Sequence, residues 1–260
     1  MKKSLQTLAA WLCALAAAHA APLNDTGISW SGNYPSGDTG TCSAAHPAGQ
    51  DCNYGRDKGP VAKVGHSAHD VNPIIAPNPD GFDFTKIANN GTALLPAAAL
   101  GPNPTDWACT RDNVTGLIWE IKTATGLRGQ NHQYFWFNVF SSDSWPGTAD
   151  NGTGNCDTPG RCDTDTYVAD VNAATLCGAN DWRMPTVREL ESIVNLGRAN
   201  PAIDPIFFPD TALDGYWSHS ASAISGIKDY AWFVNFDSGQ ALSGGMRSSG
   251  LLVRLVRKAP

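Results

Sequence analysis

The 260-residue sequence contains no run of lysine and arginine residues. Nucleic-acid binding depends on such basic patches, so nucleic acid is an unfavourable partner. The sequence also lacks a G-x-S-x-G elbow, an H-E-x-x-H motif and a phosphate-binding Gly-Lys loop. No internal repeat is visible. The motifs of the common hydrolases, metalloproteases and nucleotide-binding proteins are therefore excluded, and no catalytic residue is predicted.

A secretory signal peptide is predicted at residues 1–20. Lys2 and Lys3 precede the apolar run LQTLAAWLCALAAA, and Ala18-His19-Ala20 supplies small residues before a cleavage site. The apolar run is too short to favour a membrane span, and no later segment comes close to one. We therefore expect cleavage after Ala20 and an exported protein, in the periplasm, at the cell surface or outside the cell.

Removal of residues 1–20 leaves 16 basic and 24 acidic residues, a formal net charge of −8, and six cysteines. An even number of cysteines in an exported chain is typical of disulfides, because the compartment is oxidising. Two pairs are close in sequence, and the third would join the first predicted hairpin to the end of the first predicted helix. The expected pairs are Cys42–Cys52, Cys156–Cys162 and Cys109–Cys177.

The chain divides into an irregular part and a patterned part. Residues 21–80 are rich in Gly, Pro, Asn, Asp and Ser and predict an irregular N-terminal extension, followed by a folded domain at 81–260. Strands are predicted for FDFTKI, for two hairpins in WACTRDNVTGLIWEIK and DYAWFVNFDSGQAL, and for LLVRLVR. Helices are predicted for TDTYVADVNAATLCG and TVRELESIVNLG. This order of short antiparallel strands with two helices in the middle indicates an α+β domain.

The segment CGANDWRMPTVRELES predicts a structural lock and not an active site. Thr186 and Glu189 have the spacing of a helix capping box. Trp182 is a candidate core residue, and Asp181 with Arg183 could form an ion pair that braces the turn before the helix. A catalytic interpretation would need a nucleophile or a metal nearby, and neither is adjacent.

Arg254 completes the structural lock. It lies near Leu252 and Val256 in the predicted last strand, so we expect it to be partly buried. A buried arginine needs a carboxylate partner, and Asp181 and Glu189 are the candidates.

The acidic loop DNGTGNCDTPGRCDTDT offers the hard oxygen atoms that calcium prefers, with Asp150, Asp157 and Asp163 as candidate ligands. The loop lacks the spaced acids and terminal glutamate of an EF-hand, and a solvated, disulfide-tied loop explains it equally well. His66 and His69 could ligate a transition metal, but no third ligand is evident. No cofactor is therefore predicted, and calcium is left open.

Several ordered motifs resemble those of one known family: RDNVTGLIWE, VNAATLCGANDWRMPTVRELESIV, NPAIDPIFFPD, YWSHS, AWFVNF and VRLVR. Together they are similar to the Lcl C-terminal domain family, named after a collagen-like bacterial adhesin. The resemblance covers roughly Phe82 to Arg257. It implies a C-type-lectin-like fold, which is a small twisted antiparallel sheet flanked by two helices with long loops. The calcium-site triplets of sugar-binding C-type lectins are not recognisable, and the chain has no collagen-like Gly-X-Y region.

Three functions are compatible with this resemblance. The preferred one is an exported, non-enzymatic binding module, adhesin-like or glycan-binding, with a carbohydrate or cell-surface ligand. Aromatic loop residues such as Trp145 are its candidate contacts, because a flat indole can stack on a sugar ring. The second is an enzyme on the scaffold of the formylglycine-generating enzymes, which requires a free thiol or a metal. The third is a structural envelope protein without a small ligand.

Overall fold

The structure, a computed structural model, describes residues 24–28, 32–33, 37–38, 81–141, 143–223 and 228–260. The predicted signal peptide, Cys42, Cys52, His66 and His69 lie outside the described residues. Among the residues that are described, no helix combines the length and the apolar character needed to cross a membrane.

Antiparallel strands form two sheets and one short ladder. The ladder pairs Gly32–Asn33 (β1) with Gly37–Asp38 (β2). The four-stranded sheet has the order β3-β4-β5-β9, and its strands are Phe84–Ala88 (β3), Trp107–Asp112 (β4), Leu117–Glu120 (β5) and Val256–Lys258 (β9). The three-stranded sheet has the order β6-β7-β8, with Gly215–Ala221 (β6), Tyr230–Asn235 (β7) and Gln240–Met246 (β8).

Both predicted hairpins are present, and local hydrogen bonds explain their turns. Between β4 and β5, the carboxylate of Asp112 accepts the Val114 N–H at 2.9 Å and the Thr115 hydroxyl at 2.6 Å. Between β7 and β8, Gly239 takes a φ of +79°, which glycine adopts without steric cost. Its N–H donates to the Asn235 carbonyl at 2.7 Å. The mixed α/β class with antiparallel strands is thus as the sequence predicts.

The strands divide into two sheets where the sequence predicted one. The predicted closing strand LLVRLVR is the reason, because its backbone hydrogen bonds go to both sheets. Leu252 donates to the Gly215 carbonyl of β6 at 3.0 Å, whereas Leu255 accepts the Glu120 N–H of β5 at 3.0 Å. Only its end continues as a regular strand, so β9 is three residues long.

Two α-helices lie between β5 and β6 in the chain, Thr164–Ala173 (α1) and Val187–Glu191 (α2), with a 3₁₀ turn at Leu176–Gly178. The Asp163 side chain caps α1 by accepting the N–H groups of Asp165 and Thr166. Helix α2 is shorter than the predicted TVRELESIVNLG. It ends at Ser192, whose hydroxyl donates to the Glu189 carbonyl at 2.6 Å and so competes with the continuing helix.

The core consists of two hydrophobic clusters with large aromatic side chains in each. One contains Trp119 and Phe208 together with Leu190 of α2. The other contains Trp136, Tyr167, Trp182 and Trp217, next to Cys109 and Cys177. Burial of apolar surface on this scale is the main favourable contribution to folding.

Residues 24–28, which belong to the predicted extension, contact the domain. The Asn24 side chain donates to the Asp112 carboxylate at 2.6 Å and to the Ser192 carbonyl at 2.8 Å. The Thr26 carbonyl accepts the Leu196 N–H at 2.7 Å. This part of the extension is therefore packed against the turn after α2.

Candidate functional site

Trp182 lies at the junction of α1, the 3₁₀ turn and β9. Its side chain is 2% exposed, and its indole N–H donates to the Leu176 carbonyl at 2.9 Å. The Asn172 side chain bonds both its backbone N–H, at 2.8 Å, and its carbonyl, at 2.9 Å. The following residue, Arg183, exchanges two backbone hydrogen bonds with Val256. These contacts place Trp182 in the core, as the sequence predicted.

The ion pairs of the structural lock differ from the expected ones. Asp181 does not pair with Arg183: it binds Arg257, with 2.5 Å between Nε and Oδ1. Arg183 instead forms a fork to Glu189 at 2.9 and 2.6 Å. The capping box is present, because the Thr186 hydroxyl accepts the Glu189 N–H and the Glu189 carboxylate accepts the Thr186 N–H. Glu189 thus caps α2 and holds Arg183 at once.

Arg254 is fully buried, and neither Asp181 nor Glu189 is its partner. It donates to the Glu120 carbonyl and to the Thr211 hydroxyl, both at 2.8 Å. The expected carboxylate pairing is wrong because Arg257 and Arg183, which lie nearer the surface, take those two acids.

The two disulfides that fall within the described residues have the predicted pairing, Cys109–Cys177 and Cys156–Cys162. The first connects β4 to the 3₁₀ turn and the second closes the acidic loop. All four cysteines of the described part are therefore oxidised. None of them offers the thiol that the enzyme hypothesis needs.

The acidic loop uses its carboxylates as internal acceptors. Asp150 accepts the N–H groups of Gly152 and Cys162 at 2.9 and 2.8 Å, and Asp163 caps α1. Burial acts to raise the pKa of Asp150, but these backbone hydrogen bonds outweigh it and lower that pKa. Asp157 is exposed. In the described ranges, no three His, Cys, Asp or Glu side chains are grouped to hold a metal ion, so Asp150, Asp157 and Asp163 do not fit a calcium site.

An exposed loop at residues 138–141 and 143–147, here called the aromatic loop, carries large apolar side chains. Phe140 is 89% exposed, and Val139 and Trp145 are 54% and 45% exposed. The loop is closed at its base, where the Asn138 N–H donates to the Pro146 carbonyl at 2.7 Å. At Gly147, whose φ is +87°, a Cβ would lie 2.3 Å from the Trp136 carbonyl oxygen. A larger residue there would open the base of the loop.

A buried arginine anchors the aromatic loop from below. Arg247 is 1% exposed, and its guanidinium stacks on Trp136, 4.1 Å from the ring centroid. It binds the Asp143 carboxylate and the Trp145 carbonyl, each at 2.5 Å. Burial acts to raise the pKa of Asp143, but hydrogen bonds from Arg247, Ser141 and the Trp145 N–H outweigh it and lower that pKa to about 2. An ion pair and hydrogen bonds thus hold the loop that carries the exposed aromatic rings.

A small cavity of about 130 Å³ lies at the base of the aromatic loop. We call it the polar pocket, and it is lined mainly by Trp136, Asn138, Asp165, Val168, Met184 and His219. It connects the loop to α1 and to β6. The amide of Asn138 lies 2.7 Å from Nε2 of His219.

A larger cleft, of about 680 Å³, lies between the loop after β3 and the end of α1. Its polar side chains are mostly committed within the protein. The Asn89 amide donates to the Gly101 and Asn103 carbonyls, and Arg128 donates to the Ala108 and Ile121 carbonyls. Since specific recognition needs polar groups that converge on a ligand, the aromatic loop with its polar pocket is the better candidate site.

The sequence pointed to Trp145 but to none of the residues that hold it. Arg247 and Asp143 are 104 residues apart, and Asn138 and His219 are 81 apart. His219 was considered only as a neighbour of Ser218 and Ser220. The hydroxyls of these serines bind elsewhere, to the Trp232 carbonyl and the Val187 N–H. No pattern in the sequence marked Arg247, because it lies beyond the predicted hairpin DYAWFVNFDSGQAL, which ends at Leu242.

Comparison with known proteins identifies the family. No curated protein and no solved structure matched the chain. The model of the Lcl C-terminal domain matches residues 108–257, which include all of β4 but Trp107, both α-helices, both disulfides, the aromatic loop and the polar pocket. As the match covers more than half of the 260 residues, the chain belongs to the Lcl C-terminal domain family.

Proposed function

We propose that this protein is an exported, non-enzymatic binding module that attaches to carbohydrate on a cell surface through the aromatic loop. The observation that carries the proposal is the exposure of Phe140 and Trp145 on a loop whose base is held by an ion pair between buried Arg247 and partly exposed Asp143. Exposed aromatic rings that are fixed in place lose little conformational entropy on binding. Flat rings also stack on the apolar faces of sugars.

The family and the disulfides support the more general parts of this proposal, namely binding and export. An Lcl C-terminal domain suggests a binding or adhesin-like module. Disulfides are compatible with an oxidising compartment and so with export. We propose the division into a signal peptide at 1–20, an extension at 21–80 and the binding domain at 81–260, and a C-type-lectin-like fold for that domain.

The chemistry of the cysteines favours binding over catalysis. An enzyme of the formylglycine-generating type needs a reactive thiol, and the four cysteines of the described part form disulfides. The third hypothesis, a structural envelope protein, gives no reason for two large aromatic side chains to be exposed on one loop. The acidic net charge of the chain disfavours a polyanionic ligand.

A glycan array tests the proposal with wild-type protein and three variants. We expect Trp145→Ala and Phe140→Ala to weaken saccharide binding by about 30-fold or more, the size of a typical aromatic hot spot of ~2 kcal/mol. Leu95→Ala is the matched control, since Leu95 is 76% exposed and lies outside the aromatic loop. It should bind like wild type. Wild-type protein that binds no saccharide on the array would overturn the proposal.

A further inference from the structure

The polar pocket is built from three parts of the fold that meet beside the aromatic loop. Asn138 comes from the loop, Asp165 and Val168 come from α1, and His219 comes from β6. Its volume of about 130 Å³ is well below the 300 Å³ or more of a pocket that encloses a whole drug-sized ligand. The pocket is partly open to solvent. It can therefore take one edge of a ligand whose remainder lies outside.

The hydrogen bonds of Asn138 determine the tautomer of His219. The Asn138 side-chain oxygen accepts the Phe140 N–H at 2.9 Å, so the amide nitrogen is the group that faces His219. An amide N–H donates, and Nε2 of His219 must then be the unprotonated, accepting nitrogen. A neutral imidazole in this arrangement carries its proton on Nδ1. Nδ1 has no hydrogen-bond partner among the described residues.

Asp165 supplies a hydrogen-bond acceptor, whereas Nδ1 of His219 is a donor. Its side chain makes no hydrogen bond within the described part of the chain, although its backbone N–H is bound by Asp163. The cation that also lines the pocket, Arg183, is neutralised by its fork to Glu189. The pocket thus presents one strong acceptor and one donor beside the apolar side chains of Val168 and Met184.

We infer that the polar pocket is a subsite for a neutral saccharide. Asp165 accepts a hydrogen bond from a sugar hydroxyl, His219 donates through Nδ1 to a sugar oxygen, and the sugar carbons pack on Val168 and Met184. This inference rests on the proposed function and names its ligand class. Acidic sugars are disfavoured because the carboxylates of Asp165 and Asp163 repel an anion in a pocket with no unpaired cation.

The same geometry makes binding depend on pH. The charged groups that face His219 are Arg183, Glu189 of α2 and Asp165 of α1. Burial and then Arg183 lower the pKa of His219, and Glu189 opposes them. A protonated imidazole carries hydrogens on both nitrogens and cannot accept the Asn138 amide. Protonation leaves the Nδ1 donor in place but breaks the Asn138 contact that orients His219. Binding is therefore strongest above the ordinary histidine value of about 6.5 and weakens as the pH falls through the lowered pKa.

The test measures the binding of wild-type protein to immobilised cellohexaose, chitohexaose and laminarihexaose, with dextran and dextran sulfate as a neutral and an anionic polymer. Asp165→Asn and His219→Gln are compared with Trp145→Ala, and Asp157→Asn is the control because Asp157 is exposed and outside the pocket. We expect both pocket variants to bind a neutral probe at least about 10-fold more weakly, as for loss of a hydrogen bond to a charged group. The control should be unchanged. Circular dichroism confirms that each variant is folded.

The outcomes separate the two proposals. If Trp145→Ala loses binding while both pocket variants keep it, the subsite is refuted and the proposed function stands. Binding of dextran sulfate without any neutral probe also refutes the subsite alone. Absence of binding to every saccharide overturns both proposals. In a pH series kept above the range in which the Asp165 carboxylate takes up a proton, wild-type affinity should fall on acidification and that of His219→Gln should stay level. Parallel profiles would contradict the role given to His219.

Discussion

Arg247 and Arg254 are 1% and 0% exposed, so the fold must stabilise two buried guanidinium groups. Arg247 has a carboxylate partner in Asp143. Arg254 is placed between carbonyl and hydroxyl acceptors, and its guanidinium carbon lies 5.2 and 5.6 Å from the ring centroids of Phe208 and Tyr216. Aromatic faces attract a cation that has few other partners. Both arginines thus contact aromatic rings, but Arg247 also binds a carboxylate whereas Arg254 donates to a neutral carbonyl and a neutral hydroxyl.

Substitution of Trp182 and of Trp145 compares how much a buried and a partly exposed tryptophan contribute to stability. We expect Trp182→Ala to lower the free energy of unfolding by about 3–5 kcal/mol, because it empties a core site and removes the bond to the Leu176 carbonyl. The same substitution at Trp145, which is partly exposed, should change it by no more than about 0.5 kcal/mol. Urea denaturation of both variants gives the comparison. Equal losses would show that Trp182 is not a core residue.

The aromatic loop is an element whose order depends on few contacts. Its apolar side chains point away from the core, so hydrophobic burial contributes little to it. Hydrogen bonds to Asn138 and Asp143 close it internally, and Arg247 joins it to the domain. The attachment of the loop to the domain therefore depends on the charge of the Asp143 carboxylate.

Acid should therefore weaken the attachment of the aromatic loop. Asp143 has a pKa of about 2 in the folded protein and about 3.9 when unfolded. The folded state binds fewer protons between these values, so the contribution is complete above about pH 4 and is lost as the pH falls through about 2. We expect it to be ~1–2 kcal/mol, below the ~2.6 kcal/mol of a fully shielded carboxylate, because Asp143 is partly exposed.

Comparison with Asp143→Asn isolates this carboxylate from the others. The free energy of unfolding of wild type and variant is measured by urea denaturation at pH 7, 4 and 2. The difference between the two proteins should be largest at pH 7 and small at pH 2. A difference that stays constant over this range would mean that Asp143 does not make a charged pair with Arg247.

In the part of the chain that the structure describes, the segment near the C-terminal end joins the four-stranded and three-stranded sheets, and a disulfide ties the four-stranded sheet to the 3₁₀ turn. Residues 251–255 bond to β6 on one side and β5 on the other. The disulfide Cys109–Cys177 attaches β4 to the turn that carries Trp182 toward β9. These connections span most of the described sequence. The domain is thus expected to unfold as one unit.

Removal of each disulfide should destabilise the protein according to the length of chain it closes. Cys109–Cys177 has a sequence separation of 68, for which the chain-entropy estimate is about 4 kcal/mol. Cys156–Cys162 has a separation of 6, for about 2 kcal/mol. Urea denaturation of the two double Cys→Ala variants measures both losses. A larger loss for Cys156–Cys162 would show that its role exceeds shaping the acidic loop.

Features that depend on neighbouring residues could be predicted from the sequence. The β4-β5 and β7-β8 hairpins, the capping box at Thr186 and Glu189 and the burial of Trp182 follow from turn residues, side-chain spacing and apolar character. The Cys109–Cys177 pair could also be predicted, because the nearer pairs left these two together. The sequence also identified Trp145 as an aromatic residue whose indole can stack on a sugar ring.

Partners that are distant in sequence were decided by packing. Asp181 binds Arg257 across 76 residues, and Asp143 binds Arg247 across 104. An ion pair has no preferred sequence separation, since any acid that packing brings within reach can serve. The division of LLVRLVR between two sheets has the same origin, because backbone hydrogen bonds are available to any strand edge that lies alongside. Local stereochemistry thus set the elements, and tertiary packing assembled the candidate site.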